Sequence, residues 1–361
     1  MSVVAESWRR ALVGLGWSTV TVAGDGPVDR LIPGLAIPGT DRPTAAADRD
    51  DDPGRDAAGV ERLRLEVAAA LSDVDLVVVE NLLSIPMNLT ASRAVARAVA
   101  GRPAIIHHHD PPWQRERYAH ITELPPDDPA WRHVTINRLT QQQFEDRGLR
   151  ATTIYNGFDP DPPAGDRDRT RAAIDVDDDQ WLFVHPVRAI ARKNIPAAVR
   201  LCEQLGAVYW LPGDAEEGYH DTLDRILASA RCPVIRTPLH DGGATIPDLY
   251  AAADLVLFPS TWEGFGNPPI EAALHRRPVV VGSYPVAREL RDMGFRWPTH
   301  DDPEAVRHLV ERWTGRRPDG SGADGGPSAA DLVAHNRALA RTRLSTATMT
   351  SELSRVLDDL G

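Results

Sequence analysis

Apolar runs alternate with helical stretches along most of the chain, and this alternation constrains the fold more than any other feature. Strand-like runs such as LVVVE (76–80), PAIIHHH (103–109) and LVLFPS (255–260) are each followed by a stretch of helical character. Strands that alternate with helices form parallel sheets with helices on both faces. These runs lack alternating polarity, which is typical of strands covered on both sides. The sequence therefore predicts an α/β fold with parallel sheets.

The length and one change in composition indicate two domains. The chain has 361 residues, which fits two domains of about 150 residues each. The stretch 159–180 is rich in Pro and Asp, and we interpret it as the linker between them. The prediction is an N-terminal domain over 1–160 and a C-terminal domain over 161–339. The terminal helix, 340–361, is expected to pack back on the first domain.

Composition excludes several classes of protein. The formal net charge of -12 disfavours binding to nucleic acid because an acidic surface repels phosphates. The two cysteines, Cys202 and Cys232, form no CxxC pair, so neither a disulfide framework nor a zinc knuckle is indicated. Two isolated thiols fit a reducing cytoplasm. No apolar run approaches the ~20 residues of a membrane helix, so any membrane contact is expected to be peripheral.

The N-terminus admits two interpretations. Arg9 and Arg10 precede an apolar stretch, which faintly resembles a twin-arginine signal. However, Val4, Trp8, Leu12 and Leu15 recur at helical spacing. This periodicity favours an amphipathic helix, and the predicted location is cytoplasmic.

The strongest chemical signal is the segment STWEGFGNPPIE (260–271), which follows a buried strand. Open α/β sheets bind ligands at the carboxyl ends of their strands. Gly264 and Gly266 allow the backbone to approach a ligand closely. The double proline that follows suits the first turn of a helix, whose start carries donors and a positive dipole end for a diphosphate. Glu263 and Glu271 flank this loop, which indicates a ligand with both hydroxyls and phosphates.

This segment resembles the E-x7-E signature of the family 4 retaining glycosyltransferases, which have the GT-B fold. The resemblance implies two Rossmann-like parallel-sheet domains that face an interdomain cleft. The N-terminal domain is then on the acceptor side, and the C-terminal domain binds the nucleotide-sugar donor. It also implies that Glu263 contacts the donor hexose and Glu271 the ribose. The intervening donor loop consists of Gly264, Phe265, Gly266 and Asn267.

A second segment, HPVRAIARKN (185–194), places Arg188 and Lys193 after another strand. Two cations there can neutralise a departing diphosphate. The pair resembles the arginine–lysine pair of the same family and is assigned both donor binding and catalysis. A strand-end pair of cations is by itself more often a solvated surface patch, and Arg192 is not assigned a role.

The run AIIHHHD (104–110) ends a third strand with three histidines. His107 and His109 share a face of the strand and could ligate a metal, but the sequence offers no partner motif for a third ligand. The family resemblance instead implies that His109 contacts the donor sugar as a catalytic residue. Asp175 to Asp177 match the metal-binding D-x-D pattern of the other glycosyltransferase fold but lie in the linker. We therefore predict no bound metal.

The expected function is retaining transfer of a hexose from UDP- or GDP-hexose to an unidentified small-molecule, glycan or lipid acceptor. The nucleotide sugar is a co-substrate, and no cofactor is expected. The family usually opens with a strand and a Gly-Gly loop that borders the acceptor, whereas this chain begins at MSVVAESW, in the first helix. Two alternatives stay open: a GT-B sugar-nucleotide epimerase and a non-catalytic nucleotide-sugar-binding protein.

Overall fold

A computed structural model describes residues 3–37, 53–85, 87–118, 120–239, 243–315 and 329–360. The chain divides into two compact units. Unit 1 comprises residues 1–157 together with 346–361, and unit 2 comprises 158–345. Both units are α/β with parallel sheets. Within the described ranges, no helix combines the length and apolar character needed to span a membrane.

Unit 1 is built on a four-stranded parallel sheet in the order β3-β4-β5-β6. A separate pair of short parallel strands, β1 and β2, precedes it. The described elements of this unit are α1 (Val3–Gly14), β1 (Val22–Ala23), β2 (Arg30–Leu31), α2 (Pro53–Ala70), β3 (Val77–Glu80), α3 (Leu89–Val99), β4 (Ala104–His108), β5 (Trp131–Thr135), α4 (Arg138–Glu145), β6 (Ala151–Thr153) and α13 (Thr346–Asp358).

The sheet of unit 1 has a separate apolar core on each face. On one face, Trp8 of α1 and Leu353 of α13 pack with Ile105. On the other face, α2 and α3 supply Val60 and Val95 to a core that contains Ile106. Because successive side chains of a strand point to opposite faces, the residues that follow Ile105 and Ile106 also alternate between the two cores.

Unit 2 is built on a five-stranded parallel sheet in the order β11-β10-β7-β8-β9. Its described elements are α5 (Arg167–Ala173), β7 (Leu182–Val184), α6 (Ile195–Leu205), β8 (Val208–Trp210), α7 (His220–Ser229), β9 (Val234–Ile235), α8 (Ile246–Ala252), β10 (Leu255–Phe258), α9 (Asn267–Leu274), β11 (Val279–Val281), α10 (Pro285–Asp292), α11 (Pro303–Thr314) and α12 (Ala329–Arg343).

The strand order of unit 2 identifies where a ligand binds most readily. The chain runs outward from β7 through β8 to β9 and then returns to the other side of β7 as β10. The direction of strand addition therefore reverses between β7 and β10. Loops that leave the carboxyl ends of two such strands diverge, and the resulting crevice is the usual ligand site of an open α/β sheet. The two loops at this position are 185–194 and 259–266.

Candidate functional site

Hydrogen bonds hold the two loops at the β7–β10 switch point together. The backbone N–H of Thr261 donates to the carbonyl of Arg192 at 2.9 Å. The side-chain amide of Asn194 donates to the carbonyl of Pro259 at 3.2 Å. Asn194 has a φ of 53° and precedes α6, and Asn tolerates this left-handed conformation better than most residues. The segments that carry the two sequence motifs are thus adjacent in unit 2.

Glu263 forms the centre of this site. One carboxylate oxygen accepts a hydrogen bond from Lys193 Nζ at 2.6 Å, and the other accepts one from Arg192 Nη1 at 2.5 Å. Glu263 and Lys193 are both buried. Hydrogen bonds between charged groups are shorter and stronger than neutral ones, so the three side chains form a fixed cluster. Arg192 therefore belongs to the site, although the sequence prediction assigned it no role.

Lys193 is the only lysine in the chain, because every other residue of the Lys and Arg total of 40 is an arginine. Burial lowers the pKa of its ammonium group to about 8, although the nearby Glu263 carboxylate opposes this shift. The positive charges of Arg192 and Arg188 lower the pKa further. Its Nζ also lies 5.0 Å from the centre of the Phe258 ring. An ammonium is compact and titratable, whereas a guanidinium is planar and always charged. Lysine can therefore lose its charge at this position, which arginine cannot.

Arg188 occupies a different environment from Lys193. Its guanidinium forms an ion pair with Glu216 at 2.6 Å, and 56% of its side chain is exposed. Its charge reaches Lys193, because it contributes to the lowered pKa of that lysine. The two predicted cations are therefore electrostatically coupled, while their direct ion-pair partners differ.

At one position of the glycine loop, Gly266, the backbone adopts a conformation that only glycine fits. Gly266 has a φ of 99°, and a Cβ atom there would lie 2.2 Å from the hydroxyl of Tyr284. That hydroxyl donates to the carbonyl of Phe265 at 3.3 Å, and both aromatic side chains are buried. Substitution at Gly266 would therefore strain the backbone and displace Tyr284.

Helix α9 begins at Asn267, directly after this glycine. Its second and third residues are Pro268 and Pro269, which have no backbone N–H to donate. The sequence predicts several backbone donors at this helix start, and the prolines reduce that number. What the helix start offers to an anion is chiefly the positive end of its dipole.

Glu271 lies in α9 and has a partner that the sequence prediction missed. Tyr250, on α8, donates its hydroxyl to the Glu271 carboxylate at 2.6 Å. Burial raises the pKa of Glu271, and the hydrogen bond from Tyr250 opposes this shift. The sequence contains one signal for this partner, a tyrosine among the small apolar residues of IPDLYAAA (246–253). A buried Tyr hydroxyl usually has a hydrogen-bond partner.

Several buried polar atoms at the switch point have no hydrogen-bond partner among the described residues. They are Ser260 Oγ, Trp262 Nε1 and Arg192 Nε. Buried polar groups are normally paired, and exceptions call for an explanation such as a functional site. Three of them in or beside the loop that carries Glu263 indicate a surface suited to a polar ligand.

Unit 1 also has a polar cluster at the carboxyl ends of two strands. Glu80 lies directly opposite His107 in the register of β3 and β4. One Glu80 oxygen, Oε2, lies 3.0 Å from His107 Nδ1 and 3.0 Å from His109 Nε2. The Asn81 side chain accepts from the backbone N–H of His109 at 3.0 Å. The sequence offered no third polar residue beside His107 and His109. The structure shows that Glu80 occupies this position.

The three consecutive histidines do not act as one group. His108 packs on the opposite face of β4, where its ring nitrogens contact Ser84 at 2.6 Å and His133 at 2.8 Å. Burial lowers the pKa of His108 and also that of His107. The division follows from the alternation of side chains along the strand, so His107 and His109 are together and His108 is apart from them.

Comparison with known families supports the resemblance found in the sequence. Residues 190–314 match the family model described as glycosyl transferases group 1. The matched segment contains Lys193, Glu263, the glycine loop and Glu271. In this segment the chain is similar to the group 1, or family 4, glycosyltransferases.

Among the curated relatives of this glycosyltransferase is a mannosylglucosylglycerate synthase from Petrotoga mobilis. The two are 24% identical over 357 residues, and the match covers 82% of each chain. The predicted family resemblance is thus confirmed, and the chain is a glycosyltransferase.

Solved structures show the fold of this glycosyltransferase. Anabaena Alr3699/HepE, in complex with UDP and glucose, matches with a TM-score of 0.65 and 22% identity over 82% of this chain and 81% of that chain. A glycosyltransferase from Rickettsia africae matches with a TM-score of 0.69 and 13% identity over 98% and 93% of the two chains. The predicted fold class, with parallel sheets in two domains as in GT-B glycosyltransferases, is confirmed.

Proposed function

We propose that this glycosyltransferase moves a hexose from a nucleoside-diphosphate sugar to an acceptor with retention at the anomeric carbon. The observation that carries the proposal is the buried cluster of Glu263, Lys193 and Arg192 at the switch point of unit 2. The donor diphosphate binds beside the two cations and the start of α9. Glu263 contacts the hexose, and Glu271 contacts the ribose.

The charge of the cluster suits a diphosphate. Two cations surround one carboxylate, so the cluster keeps a net positive charge while Lys193 is protonated. Negative charge grows on the diphosphate as the glycosidic bond breaks, and fixed positive groups stabilise this change most in a buried site. Arg188, whose charge couples to that of Lys193, adds to the same field. Lys193, Arg192 and Arg188 therefore act on the leaving group.

The position of Glu263 between two cations argues for its role with the sugar. Its two carboxylate oxygens each already hold a charged partner, which makes the carboxylate a weak nucleophile. We therefore assign it to the hexose hydroxyls and not to a covalent intermediate. The acceptor oxygen attacks the anomeric carbon from the face that the diphosphate leaves, and the acceptor proton passes to the departing diphosphate. The anomeric configuration is thereby retained.

Glu271 is assigned to the ribose because of its surroundings. It is held by Tyr250 from one side, and its second oxygen is available to accept from a ribose hydroxyl. The glycine loop, residues 264–267, separates Glu271 from Glu263 along the chain. It is assigned to the part of the nucleotide sugar that lies between the hexose and the ribose. His109 of unit 1 is assigned to a hexose hydroxyl, and this assignment rests on the family resemblance.

The names of relatives suggest which substrates to test first. The Petrotoga mobilis relative is a mannosylglucosylglycerate synthase, and the Anabaena structure holds UDP and glucose. We propose UDP- or GDP-linked mannose and glucose as the donors. Glucosylglycerate is the first acceptor to test among small molecules, glycans and lipids.

A donor screen followed by turnover assays tests the proposal. One nucleoside diphosphate should raise the melting temperature of the protein. The hexose derivative of that nucleotide should be consumed only when a suitable acceptor is present. Glu263→Gln, whose turnover should be strongly reduced, is the control. Release of an epimer or free sugar without acceptor would indicate a sugar-nucleotide epimerase instead. Donor binding without turnover for any acceptor would indicate a binding protein.

The proposed transfer requires no divalent metal. Lys193, Arg192 and the start of α9 supply the positive charge that a metal provides in other transferases. Turnover should therefore be unchanged by EDTA. Loss of turnover in EDTA that manganese restores would contradict this part of the proposal.

A further inference from the structure

The cluster of Glu80, His107 and His109 in unit 1 has three potential metal ligands. Each residue offers one atom, and the three atoms all lie within 4.8 Å of one another. Within the ranges that the structure describes, it is the one such group of three or more His, Cys, Asp or Glu side chains. Two imidazoles and one carboxylate form a common ligand set for Zn²⁺ and for Fe²⁺.

The distances between the ligand atoms fit a metal without rearrangement. Glu80 Oε2 lies 3.0 Å from each of the two ring nitrogens, His107 Nδ1 and His109 Nε2, which are 3.4 Å apart. With metal–ligand bonds of ~2.0–2.1 Å, neighbouring ligand atoms lie about 3.3 Å apart in a tetrahedral site and about 3.0 Å apart in an octahedral one. An ion above the plane of the three atoms would therefore reach all of them at normal bond lengths.

The backbone holds these side chains rigidly in register. Glu80 and His107 are paired residues of adjacent parallel strands, and His109 is fixed through its N–H to Asn81. Sites built on strands hold their geometry better than sites on loops. The neighbouring carboxylate of Asp110 is already engaged by Asn81 at 3.2 Å and by Arg115, so the ligand set consists of the first three residues.

The cluster is also reachable and incompletely satisfied. The side chains of His109 and Glu80 are 22% and 25% exposed, respectively, so an ion can enter from that side. Glu80 Oε1 has no hydrogen-bond partner among the described residues and can serve as a second carboxylate ligand. Both histidines contact Glu80 Oε2, while Oε1 has no partner among the described residues. A cation bound between the three side chains would interact with both carboxylate oxygens.

We propose that Glu80, His107 and His109 form a binding site for a divalent transition-metal ion, of which Zn²⁺ is the best-fitting example. Three protein ligands leave at least one coordination position for water. The ion is not needed for glycosyl transfer. It competes instead with the sugar for His109, and this consequence rests on the proposed function of that residue. The site therefore acts as an inhibitory metal site.

Metal binding by the full chain tests the proposal directly. The chain, stripped with EDTA, is titrated with Zn²⁺ in competition with a chromophoric chelator and, separately, with Co²⁺ while its visible spectrum is recorded. One equivalent of Zn²⁺ should bind, and Co²⁺ should give the intense absorption of a four- or five-coordinate site. Glu80→Gln and His109→Ala should each weaken Zn²⁺ binding by at least ~10-fold.

A matched control separates this site from adventitious binding. His308→Gln alters an exposed histidine beside Glu311 on α11 and should leave Zn²⁺ affinity unchanged. The partly exposed positions Glu80 and His109 are chosen because their variants are expected to fold, which the melting temperature verifies. Equal Zn²⁺ affinity of the native chain, Glu80→Gln and His109→Ala would overturn the proposal, as would the absence of stoichiometric binding.

Inhibition is measured separately so that the two proposals can fail independently. Zn²⁺ should raise the apparent KM for the donor sugar, and EDTA should reverse the effect. If Zn²⁺ binds through these three residues but transfer is unaffected, the metal site stands and the role of His109 with the hexose fails. If transfer depends on His109 but Zn²⁺ does not bind, the metal site fails and the function stands.

Discussion

Each unit places a glutamate between two nitrogen-bearing side chains at the carboxyl ends of adjacent parallel strands. In unit 2, Glu263 lies between Lys193 and Arg192. In unit 1, Glu80 contacts both His107 and His109. The geometry is similar, with contacts of 2.5–2.6 Å in unit 2 and 3.0 Å in unit 1, but the charge is opposite.

The difference in charge decides what each cluster can bind. The Lys–Arg–Glu cluster keeps a net positive charge near neutral pH and attracts anions. Burial lowers the pKa of His107, so its imidazole is neutral there. Burial raises the pKa of Glu80, but its contacts with His107 and His109 lower it by more, so the carboxylate is ionised. The unit 1 cluster therefore suits cations or sugar hydroxyls, and the unit 2 cluster suits phosphates.

The largest expected effect comes from removing the charge of Glu263. Glu263→Gln should reduce turnover on the order of 100-fold because a transition-state contact to the hexose is lost. Affinity for the free nucleoside diphosphate should not fall, since the two cations lose a competing partner. Steady-state kinetics and calorimetry measure the two effects.

Glu216→Gln is the matched control for this change. It also removes a carboxylate that pairs with a cation of the site, Arg188, but that pair is exposed. It should change turnover only slightly. If Glu263→Gln instead abolished binding of the free diphosphate, Glu263 would face the ribose and our orientation of the donor would be reversed.

Removing one nitrogen-bearing side chain from each cluster tests whether the two clusters differ in what they bind. Lys193→Ala should weaken binding of the nucleoside diphosphate by about 1.5–3 kcal/mol, the usual value for a hydrogen bond to a charged group, or ~10- to 150-fold. His109→Ala should leave this affinity unchanged because the free diphosphate lacks the hexose that His109 is proposed to contact. Calorimetry on the folded variants measures both affinities for the nucleoside diphosphate. Equal losses of affinity in the two variants would show that the clusters do not differ in the proposed way.

The third prediction concerns the ribose contact. Glu271→Gln should weaken free nucleotide and donor sugar alike, by ~10-fold, because both contain the ribose. Tyr250→Phe removes one neutral hydrogen bond that orients Glu271 and should cost about 0.5–1.5 kcal/mol of the same affinity. A variant of Glu271 that lowers turnover and leaves nucleotide affinity intact would place Glu271 at the hexose instead.

The smallest effect is the pH dependence of diphosphate binding. The pKa of Lys193 in the folded, unliganded chain is lowered to about 8, mainly by burial. Its protonated form binds the anion, so affinity should level off about one unit below the pKa and fall as the pH rises through 8, by at most ~10-fold per unit. The nucleotide's own charge is constant in this range because its second phosphate pKa is ~6.

Lys193→Arg tests the cause of this pH dependence, because arginine stays charged throughout. The fall above pH 8 should disappear in this variant. Since the chain contains one lysine, labelling of lysine with ¹⁵N gives a single side-chain signal whose titration measures the pKa directly. A midpoint near the ordinary value of ~10.4 would contradict the predicted dependence.

The sequence predicted the fold and the two principal segments of the site for local reasons. The apolar runs without alternating polarity require strands that are covered on both faces, and the segment 260–271 encodes a strand end, a glycine turn and a helix start in consecutive residues. Gly266 and Asn267 lie where this pattern expects them. Such features depend on neighbours in the sequence, and they can be read from it.

The partners of the functional side chains were decided by the tertiary structure alone. Glu80 meets His107 because β3 and β4 pair in one particular register, and a shift of one residue would turn the glutamate to the other face. Arg192 reaches Glu263 across 71 positions because their two loops leave neighbouring strands at the same edge of the sheet. The sequence determined which residue types stand at the strand ends, whereas strand order and register, which arise from packing over the whole sheet, decided which of them meet.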